Sequence, residues 1–498
     1  MYDYEDDYDY EDDSYIPSSF PKQQGNKKQS KSSNIVTKIE NVKITQKKET
    51  PIEIMLSSEP KYKKRVKTTV DKEILNIIIA GHVDAGKSTI MGHLLYQKGN
   101  IDKKTMHKYK NDSEKLGKGS FAYAWVLDES NEERERGVTI DVGRASFETN
   151  TKNIIILDAP GHKDFIPNMI TGATQADGAI LVINSSKGEF ETGFENGGQT
   201  REHAILLGNL GIDNLIVAIN KLDTINWDKN RFDEIVNVMD NFLKNDIGIQ
   251  NISYIPISGL DGINLIKKAK NHPLNKWYDG DSLIDAIDSL PIPNRDKDKP
   301  LRITVNNVLS NNTSTVVIGG KIESGYVESN DKLFIIPLFT PCNVKTVTSD
   351  TSISNNGPYF AGEQIVITLN GIFEENSIKT GQILCRGGSE ALIPKTKFIC
   401  NINVFNPPTP IINGTRFELF SHSLCVPCVI KKIKKTIDIN GIEKDKPRMI
   451  TKNSKAIVEI ITDIPINLEE FEKCKALGRF SLRASNQTIA AGVIQSCN

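Results

Sequence analysis

The chain has 498 residues, of which 38% are hydrophobic and 25% are charged, and its formal net charge at pH 7 is −1. This composition is typical of a soluble globular protein of about three domains, and it shows no global charge excess that would indicate nucleic acid or a membrane surface as a partner. The seven cysteines all lie between Cys342 and Cys497. An odd, scattered set of this kind indicates a reducing compartment, so we expect a cytoplasmic protein. Without an N-terminal apolar stretch or a run of about 18 apolar residues, we expect neither a signal peptide nor a membrane span.

The first 70 residues are unlike the rest of the chain. Met1–Tyr15 consists almost entirely of Tyr, Asp and Glu, and residues 21–70 are rich in Lys, Ser, Gln and Thr. Segments with so few apolar residues bury no core, so the sequence predicts a disordered acidic and basic N-terminal arm over residues 1–70. The acidic part fits a solubilising tail or a docking arm, and the basic part fits a linker.

Residues 71–296 are predicted to form a doubly wound α/β domain. Continuous β-branched and apolar runs alternate there with amphipathic stretches, a pattern that favours parallel strands covered by helices on both faces. The runs are Ile74–Ala80, Ile154–Leu157, Ala179–Ile183, Leu215–Ile219 and Tyr254–Ile257. In such a fold, ligands bind at the carboxyl ends of the strands.

The remainder of the chain is predicted to be all-β. Short strand-like runs separated by Gly, Asn, Ser and Pro predict one β-barrel over residues 297–390 and a second over residues 391–498. We expect the boundary between the two near Gly387–Pro394.

A phosphate-binding loop is predicted at Gly81–Ser88, which reads Gly-His-Val-Asp-Ala-Gly-Lys-Ser and fits the pattern G-x-x-x-x-G-K-[ST]. An apolar strand precedes it and a helix-compatible segment, Thr89–Gln97, follows it. Backbone N–H groups at such a loop and at the helix N-terminus attract phosphate oxygens. Lys87 is expected to reach the outer phosphates and the Ser88 hydroxyl to bind Mg²⁺.

Two further segments indicate hydrolysis of the bound nucleotide. Asp158-Ala159-Pro160-Gly161-His162 directly follows a predicted strand. Asp158 is placed to hold Mg²⁺ through a water, the Gly161 N–H to meet the γ-phosphate, and His162 to face the hydrolytic water. Thr139 is placed to complete the Mg²⁺ shell and to sense the γ-phosphate, a device common to GTPase switches. The predicted metal ligands are therefore Ser88, Thr139 and Asp158.

The base is predicted to be guanine. In Asn220-Lys221-Leu222-Asp223, the Asp carboxylate can accept hydrogen bonds from the N1–H and the exocyclic amine of guanine together, and adenine lacks that pair of donors. Ser258-Gly259-Leu260 offers backbone N–H groups to the guanine carbonyl. The residues expected to bind GTP are thus Gly81, His82, Val83, Asp84, Ala85, Gly86, Lys87, Ser88, Thr89, Asp158, Gly161, Asn220, Lys221, Asp223, Ser258, Gly259 and Leu260.

From about residue 72 to residue 498 the chain resembles the translational GTPases of the elongation-factor type. The resemblance rests on the motifs above, on Arg136-Gly137-Val138-Thr139, and on Leu477-Gly478-Arg479-Phe480 with Thr488–Ile494 near the C-terminus. Three eukaryotic branches compete: aminoacyl-tRNA delivery, termination, and the ribosome-rescue GTPase that partners Pelota. Segments that favour the rescue branch are Phe121–Gly143, Asn226-Trp227, Trp277-Tyr278 and Gly320–Tyr326.

The resemblance implies a function. It implies GTP hydrolysis stimulated by the ribosome, with His162, Lys87 and Thr139 in catalysis, GTP and Mg²⁺ bound, and Val83 and Val138 forming an apolar gate before His162. It also implies delivery of a Pelota-like factor to stalled ribosomes for rescue and no-go decay, RNA contact through the ribosome, no membrane partner, and a monomer. The alternatives are delivery of aminoacyl-tRNA, a termination GTPase, and a nucleotide-gated scaffold without hydrolysis; the presence of all three catalytic residues counts against the scaffold.

Overall fold

A computed structural model describes most of the chain from residue 50 onward. The described residues are 50–60, 72–115, 117, 119–127, 133, 139, 142–195, 198–268, 270–349, 358–438, 441–485 and 487–498. All of them belong to one compact unit, Glu49–Asn498. The first 49 residues of the predicted arm, residues 61–71 and Val138 lie outside the described residues.

The first part of this unit is built on a six-stranded sheet with the strand order β2-β3-β1-β4-β5-β6. The strands are β1 (Glu73–Gly81), β2 (Gly143–Glu148), β3 (Lys152–Asp158), β4 (Gly178–Asn184), β5 (Asn214–Asn220) and β6 (Asn251–Pro256). All neighbouring strands are parallel except β2 and β3. Separate clusters of buried apolar residues cover the two faces of this sheet, which confirms the predicted doubly wound α/β fold.

The helices pack mainly on this sheet. Their bounds are α1 (Pro51–Ser57), α2 (Lys87–Lys98), α3 (Lys103–Lys115), α4 (Ile166–Gln175), α5 (Glu189–Phe194), α6 (Gln199–Asn209), α7 (Lys229–Asn241) and α8 (Leu283–Ser289). Shorter helical turns include Lys163–Phe165 and Leu222–Ile225. No helix in the described part of the chain is long and apolar enough to cross a membrane.

A closed β-barrel follows, with the strand order β10-β11-β13-β8-β7-β14. The strands of this region are β7 (Arg302–Asn311), β8 (Thr315–Ser324), β9 (Tyr326–Val327), β10 (Lys332–Ile336), β11 (Thr340–Ser349), β12 (Tyr359–Phe360), β13 (Gln364–Gly371) and β14 (Ile383–Cys385). Its interior holds a single cluster of buried apolar side chains. The first predicted all-β domain is therefore a barrel, as expected.

The last part of the chain forms a seven-stranded sheet with the order β17-β22-β23-β15-β21-β18-β19. A further pairing of β17 with β18 closes this sheet on itself, which makes it the second predicted barrel. The strands are β15 (Lys395–Val404), β16 (Ile411–Ile412), β17 (Arg416–Ser421), β18 (Leu424–Ile437), β19 (Glu443–Asp445), β20 (Met449–Ile450), β21 (Ser454–Ile466), β22 (Arg479–Ala484) and β23 (Gln487–Cys497). The strands of all three regions fall inside the ranges expected for the three domains, whose exact boundaries stay predictions.

One part of the predicted arm was assigned wrongly. Residues 50–60 were expected to belong to a disordered linker, but Pro51–Ser57 forms α1. The helix begins with a capping box, in which the Thr50 side chain accepts from the Glu53 N–H and the Glu53 carboxylate accepts from the Thr50 N–H. Met55 is fully buried against a cluster of apolar residues from both barrels. Ile52, Ile54, Met55 and Leu56 make this stretch more apolar than the Lys-, Ser- and Thr-rich residues around it, and the burial of Met55 orders it.

Candidate nucleotide site

The phosphate-binding loop joins β1 to α2, as its sequence predicts. Its glycines are required by close approaches as well as by backbone conformation. Gly86 has φ +94°, and a Cβ there would lie 2.4 Å from the Asn220 amide nitrogen. A Cβ at Gly161, in the facing segment, would lie 2.4 Å from Lys87 Nζ. Larger residues at either position would displace groups that the site needs.

Lys87 is the first residue of α2, and its side chain reaches back over the loop. The side chain is buried, and its Nζ donates to the backbone carbonyls of His82 at 3.0 Å and Gly81 at 3.2 Å. Burial lowers the pKa of Lys87, and the nearby Asp158 carboxylate opposes that shift. A buried ammonium group whose hydrogen bonds go to neutral carbonyls, with the Asp158 and Asp84 carboxylates nearby, is well placed to bind the additional negative charge of a phosphate.

The three predicted metal ligands lie together. The Ser88 hydroxyl donates to Asp158 Oδ2 at 2.6 Å and lies 3.2 Å from the Thr139 hydroxyl. Asp158 is fully buried, and its Oδ1 has no hydrogen-bond partner in the described part of the chain. Burial raises the pKa of this carboxyl to about 6. The cluster consists of oxygen atoms, and one of the two carboxylate oxygens of Asp158 has no partner among the described residues. These groups fit Mg²⁺, which prefers oxygen ligands and is usually held by a few protein groups together with substrate phosphates.

His162 lies at the mouth of the same site. It precedes the helical turn Lys163–Phe165, and its Nδ1 accepts from the Asp164 N–H at 3.3 Å. Its side chain is 39% exposed. Together with Val83, Thr139 and the loop residues it lines a cavity of about 60 Å³. Val83 therefore lies at the same cavity as His162, and its role as one half of an apolar gate stays a prediction.

The predicted base-binding segments meet at the carboxyl ends of β5 and β6. Asn220 is buried, donates from Nδ2 to the Ala85 carbonyl at 2.8 Å, and accepts at Oδ1 from the Gly259 N–H, also at 2.8 Å. One side chain therefore fixes the phosphate loop and the Ser258–Leu260 loop relative to each other. Asp223 lies in the helical turn Leu222–Ile225. This turn begins directly after Lys221, which has a left-handed backbone with φ +61°.

Three residues that sequence reasoning did not single out also contact the site. His93 on α2 stacks on Tyr123 with ring centroids 4.0 Å apart, and its Nδ1 lies 2.8 Å from the Gly259 carbonyl. His203 on α6 is fully buried and accepts the Gly81 N–H at Nδ1 over 3.1 Å. Burial lowers the pKa of His203 to about 3, which keeps the ring neutral and able to accept. Gln199, at the start of α6, contacts the segment around His162.

Sequence alone offered little signal for these residues. In a sequence, a lone histidine on the buried face of a helix is typical of a core residue. The groups that His93 and His203 contact, Gly259 and Gly81, are each more than a hundred residues away in the chain. Gln199 and His203 stand four residues apart on α6 and therefore on one face of the helix, which is the indication that the sequence offered.

The comparisons with known proteins agree with this geometry. Residues 72–293 match the family model described as the elongation factor Tu GTP binding domain, and residues 397–495 match the GTP-eEF1A C-terminal domain-like model. "Protein HBS1" of Drosophila melanogaster is 46% identical over 430 residues, which cover 85% of this chain and 63% of that protein. "Elongation factor 1-alpha" of Stylonychia lemnae is 38% identical over 433 residues, which cover 85% of this chain and 95% of that protein.

Among solved structures, the GTPase-like domain of S. cerevisiae Ski7 bound to GDP and inorganic phosphate matches with a TM-score of 0.73 at 21% identity. The match covers 86% of this chain and 98% of that one, and it supports the three-part fold. The match to the Drosophila protein spans just under two thirds of that protein's length, whereas the match to elongation factor 1-alpha spans nearly all of it. The chain therefore belongs to the translational GTPases of the elongation factor 1-alpha and HBS1 type.

Proposed function

We propose that this GTPase carries a Pelota-like, tRNA-shaped factor to stalled cytoplasmic ribosomes for rescue and no-go decay, and that the ribosome stimulates its GTP hydrolysis. The observation that carries this proposal is the higher identity to Protein HBS1, 46%, than to the elongation factor 1-alpha of Stylonychia, 38%. The segments that resemble the rescue branch support the same choice. We further propose that the protein acts as a monomer, without a membrane partner, and contacts RNA through the ribosome.

The arrangement of the barrels supports carriage of a large partner. A cavity of about 780 Å³ lies where the three parts of the molecule meet. Its lining includes Arg144 and Asn168 beside the GTPase sheet, Asn307 of the first barrel and Cys425 of the second. A partner seated there would contact all three parts at once, so its binding would depend on how they are arranged.

The proposed chemistry assigns a task to each side chain of the site. Lys87 and the loop N–H groups bind the β- and γ-phosphates and stabilise the charge that develops on them. Ser88 and Thr139 would hold Mg²⁺ directly and Asp158 would hold it through a water; the metal, when bound, neutralises phosphate charge. Asp223 binds the guanine edge, while Asn220 keeps the base and phosphate loops in register.

His162 is proposed to orient the attacking water rather than to act as a strong base. It lies beside Val83 at the cavity that also contains Lys87 and Thr139, and ribosome binding would bring its ring toward the γ-phosphate. Among the described residues that line this cavity there is no arginine that could serve as an arginine finger, so we expect the isolated protein to hydrolyse GTP slowly.

The experiment compares wild type with His162→Ala, each supplied with purified ribosomes and a Pelota-type protein. The variant should bind GTP as tightly as wild type, because His162 is outside the groups that hold the nucleotide. Its stimulated hydrolysis should fall by a factor of about a hundred or more, the loss expected when the attacking water is no longer held in position. Unchanged stimulated hydrolysis in His162→Ala would remove His162 from the mechanism.

A further inference from the structure

The side chain of Gln199, the first residue of α6, lies between the phosphate loop and the segment that carries His162. The orientation of its amide follows from its hydrogen bonds. With nitrogen toward the loop, the amide donates to His82 Nδ1 at 2.9 Å and to the Gly161 carbonyl at 2.7 Å, and its oxygen accepts from the Lys163 N–H at 3.1 Å. The reverse orientation offers one longer contact, from the Val83 N–H at 3.3 Å. The first orientation satisfies both ends of the amide, and we adopt it.

These contacts hold the backbone on both sides of His162. Gly161 and Lys163 are the immediate neighbours of His162. The Gln199 amide donates to the Gly161 carbonyl and accepts from the Lys163 N–H. Among the described residues, the polar and ring contacts of His162 are with near neighbours in the chain: its Nδ1 accepts from the Asp164 N–H and lies 3.4 Å from Asp164 Oδ2, and its ring centroid lies 5.9 Å from that of Phe165. Within the described residues, Gln199 is therefore the side chain that ties the backbone around His162 to the phosphate loop.

The helix that carries Gln199 is itself firmly placed. Four residues along, His203 accepts the Gly81 N–H from inside the protein. Between them, Glu202 accepts from Arg483 at 3.2 Å and from the Thr488 N–H at 3.1 Å, both in the second barrel. Gln199 thus projects from an element that is fixed to the phosphate loop on one side and to a barrel on the other.

We propose that Gln199 is a positioning residue for His162: it fixes the backbone around that histidine at the distance from the phosphate loop that stimulated GTP hydrolysis requires. The inference rests on the role proposed above for His162. A displacement of about 1 Å in a reacting group can lower a rate about a hundredfold. Loss of the two hydrogen bonds to the Gly161 and Lys163 backbone, and of the one to the His82 ring, permits a displacement of that order.

The test uses the full chain with Gln199→Met, which keeps the length of the side chain and removes its hydrogen bonds. The matched control is Asn209→Ala, in the same helix. The amide that this variant removes donates to the Ile205 carbonyl, within the helix itself. Both variants are compared with wild type in GTP affinity, in intrinsic hydrolysis, and in hydrolysis stimulated by ribosomes and a Pelota-type protein. Hydrogen exchange is followed in the peptide that contains Lys163.

In Gln199→Met, the stimulated kcat should fall about ten- to a hundredfold. GTP affinity and the ribosome concentration for half-maximal rate should stay within about threefold of wild type, since the groups that make those contacts are unchanged. The Lys163 N–H should exchange faster, whereas exchange along the rest of α6 should not change. Asn209→Ala should match wild type in every measurement.

A second variant, Gln199→Glu, guards against a folding defect. It keeps an acceptor for the Lys163 N–H but has no donor for His82 or Gly161, so its stimulated kcat should fall as well. If the stimulated rates of both Gln199 variants equal that of the control or exceed that of wild type, the inference about Gln199 is wrong. The proposed role of His162 still holds in that case, provided that His162→Ala is defective. If His162→Ala and the Gln199 variants all keep the wild-type rate, the proposed role of His162 fails and this inference fails with it.

Discussion

The carboxylate of Asp223 is the single group from which selectivity for guanine is expected. Its backbone position is set by the turn Leu222–Ile225, and Asn220 ties the start of that segment to the phosphate loop. The groups proposed to recognise the base and the phosphates are therefore held together by one buried side chain, Asn220.

Asp223→Asn should weaken GTP binding at least about tenfold, because a hydrogen bond to a charged group contributes about 1.5–3 kcal/mol. The amide of the variant can donate to the additional carbonyl of xanthine, so affinity for xanthosine triphosphate should rise. Competition between the two nucleotides for the purified protein measures both changes. If the variant prefers GTP over xanthosine triphosphate as strongly as wild type does, guanine is recognised by another group.

His422 makes stability depend on pH. It is buried, and neither ring nitrogen has a hydrogen-bond partner in the described part of the chain. Burial lowers the pKa of His422 to about 3 in the folded protein. Below the unfolded pKa of about 6.5 the unfolded chain binds a proton that the folded chain does not, so stability falls as pH falls. At pH 5 this amounts to about 2 kcal/mol of lost free energy of unfolding.

His422→Gln should therefore lose less stability than wild type when the pH is lowered from 7 to 5. Denaturant unfolding curves at the two pH values give the comparison directly. Equal losses in the two proteins would mean that His422 is already able to take up a proton in the folded state.

At the scale of elements, α1 shows that a short apolar stretch inside a polar segment becomes ordered through tertiary contacts. The signals for its helix are local, namely Thr50 and Glu53 in a capping box and Pro51 in the first turn. Seven residues are too few to form a stable helix alone in water. The burial of Met55 among Phe334, Ile383 and other residues of both barrels supplies the missing stability.

Met55→Ala should release this helix from the barrels, because the loss of a buried methionine side chain costs about 2–5 kcal/mol. Limited proteolysis of residues 50–60 should become faster, and GTP affinity should not change. Leu56→Ala, a neighbour on the same helix that is 50% exposed, is the matched control and should be cut at the wild-type rate. Equal cleavage of both variants would contradict the assigned docking.

The predicted elements and the site differ in how far the sequence determines them. The parallel strands of the GTPase sheet were predicted because they are continuous apolar runs. The edge strand β2 was missed because most of its residues are only partly buried and it carries Arg144 and Ser146, which break the apolar pattern. The motif residues could be recognised because each motif is contiguous. Gln199 and His203 could not, since their partners Gly161 and Gly81 are far away in the chain and only the fold brings them together.

At the scale of the whole molecule, buried ion pairs join the three parts. Arg295, just after the last GTPase helix, forms a two-pronged pair with Asp177 at 2.6 and 2.7 Å. Lys321 of the first barrel lies 4.0 Å from the same Asp177. Arg302 of the first barrel pairs with Glu469 of the second barrel region at 2.8 and 2.9 Å. Such pairs are demanding in geometry, so they favour one arrangement of the parts over others.

The contact between α6 and the second barrel depends on Glu202. Glu202→Gln should destabilise the protein by about 3 kcal/mol, because it removes the carboxylate that pairs with the buried Arg483 guanidinium. Thermal unfolding measures the loss. If the loss of that ion pair is the cause, the double variant Glu202→Gln/Arg483→Met should be more stable than Glu202→Gln alone; a double variant that is less stable would assign the loss to another contact.

The central claim is that this GTPase carries a Pelota-like factor. The most direct measurement is the affinity of the purified chain, loaded with a non-hydrolysable GTP analogue or with GDP, for three purified candidates: a Pelota-type protein, a stop-codon-reading termination factor and aminoacyl-tRNA. We expect the Pelota-type protein to bind at least about a hundredfold more tightly than the other two candidates, a difference in binding free energy of about 2.7 kcal/mol. We also expect it to bind more tightly to the chain loaded with the analogue than to the chain loaded with GDP. Tighter binding of aminoacyl-tRNA or of the termination factor would contradict the central claim.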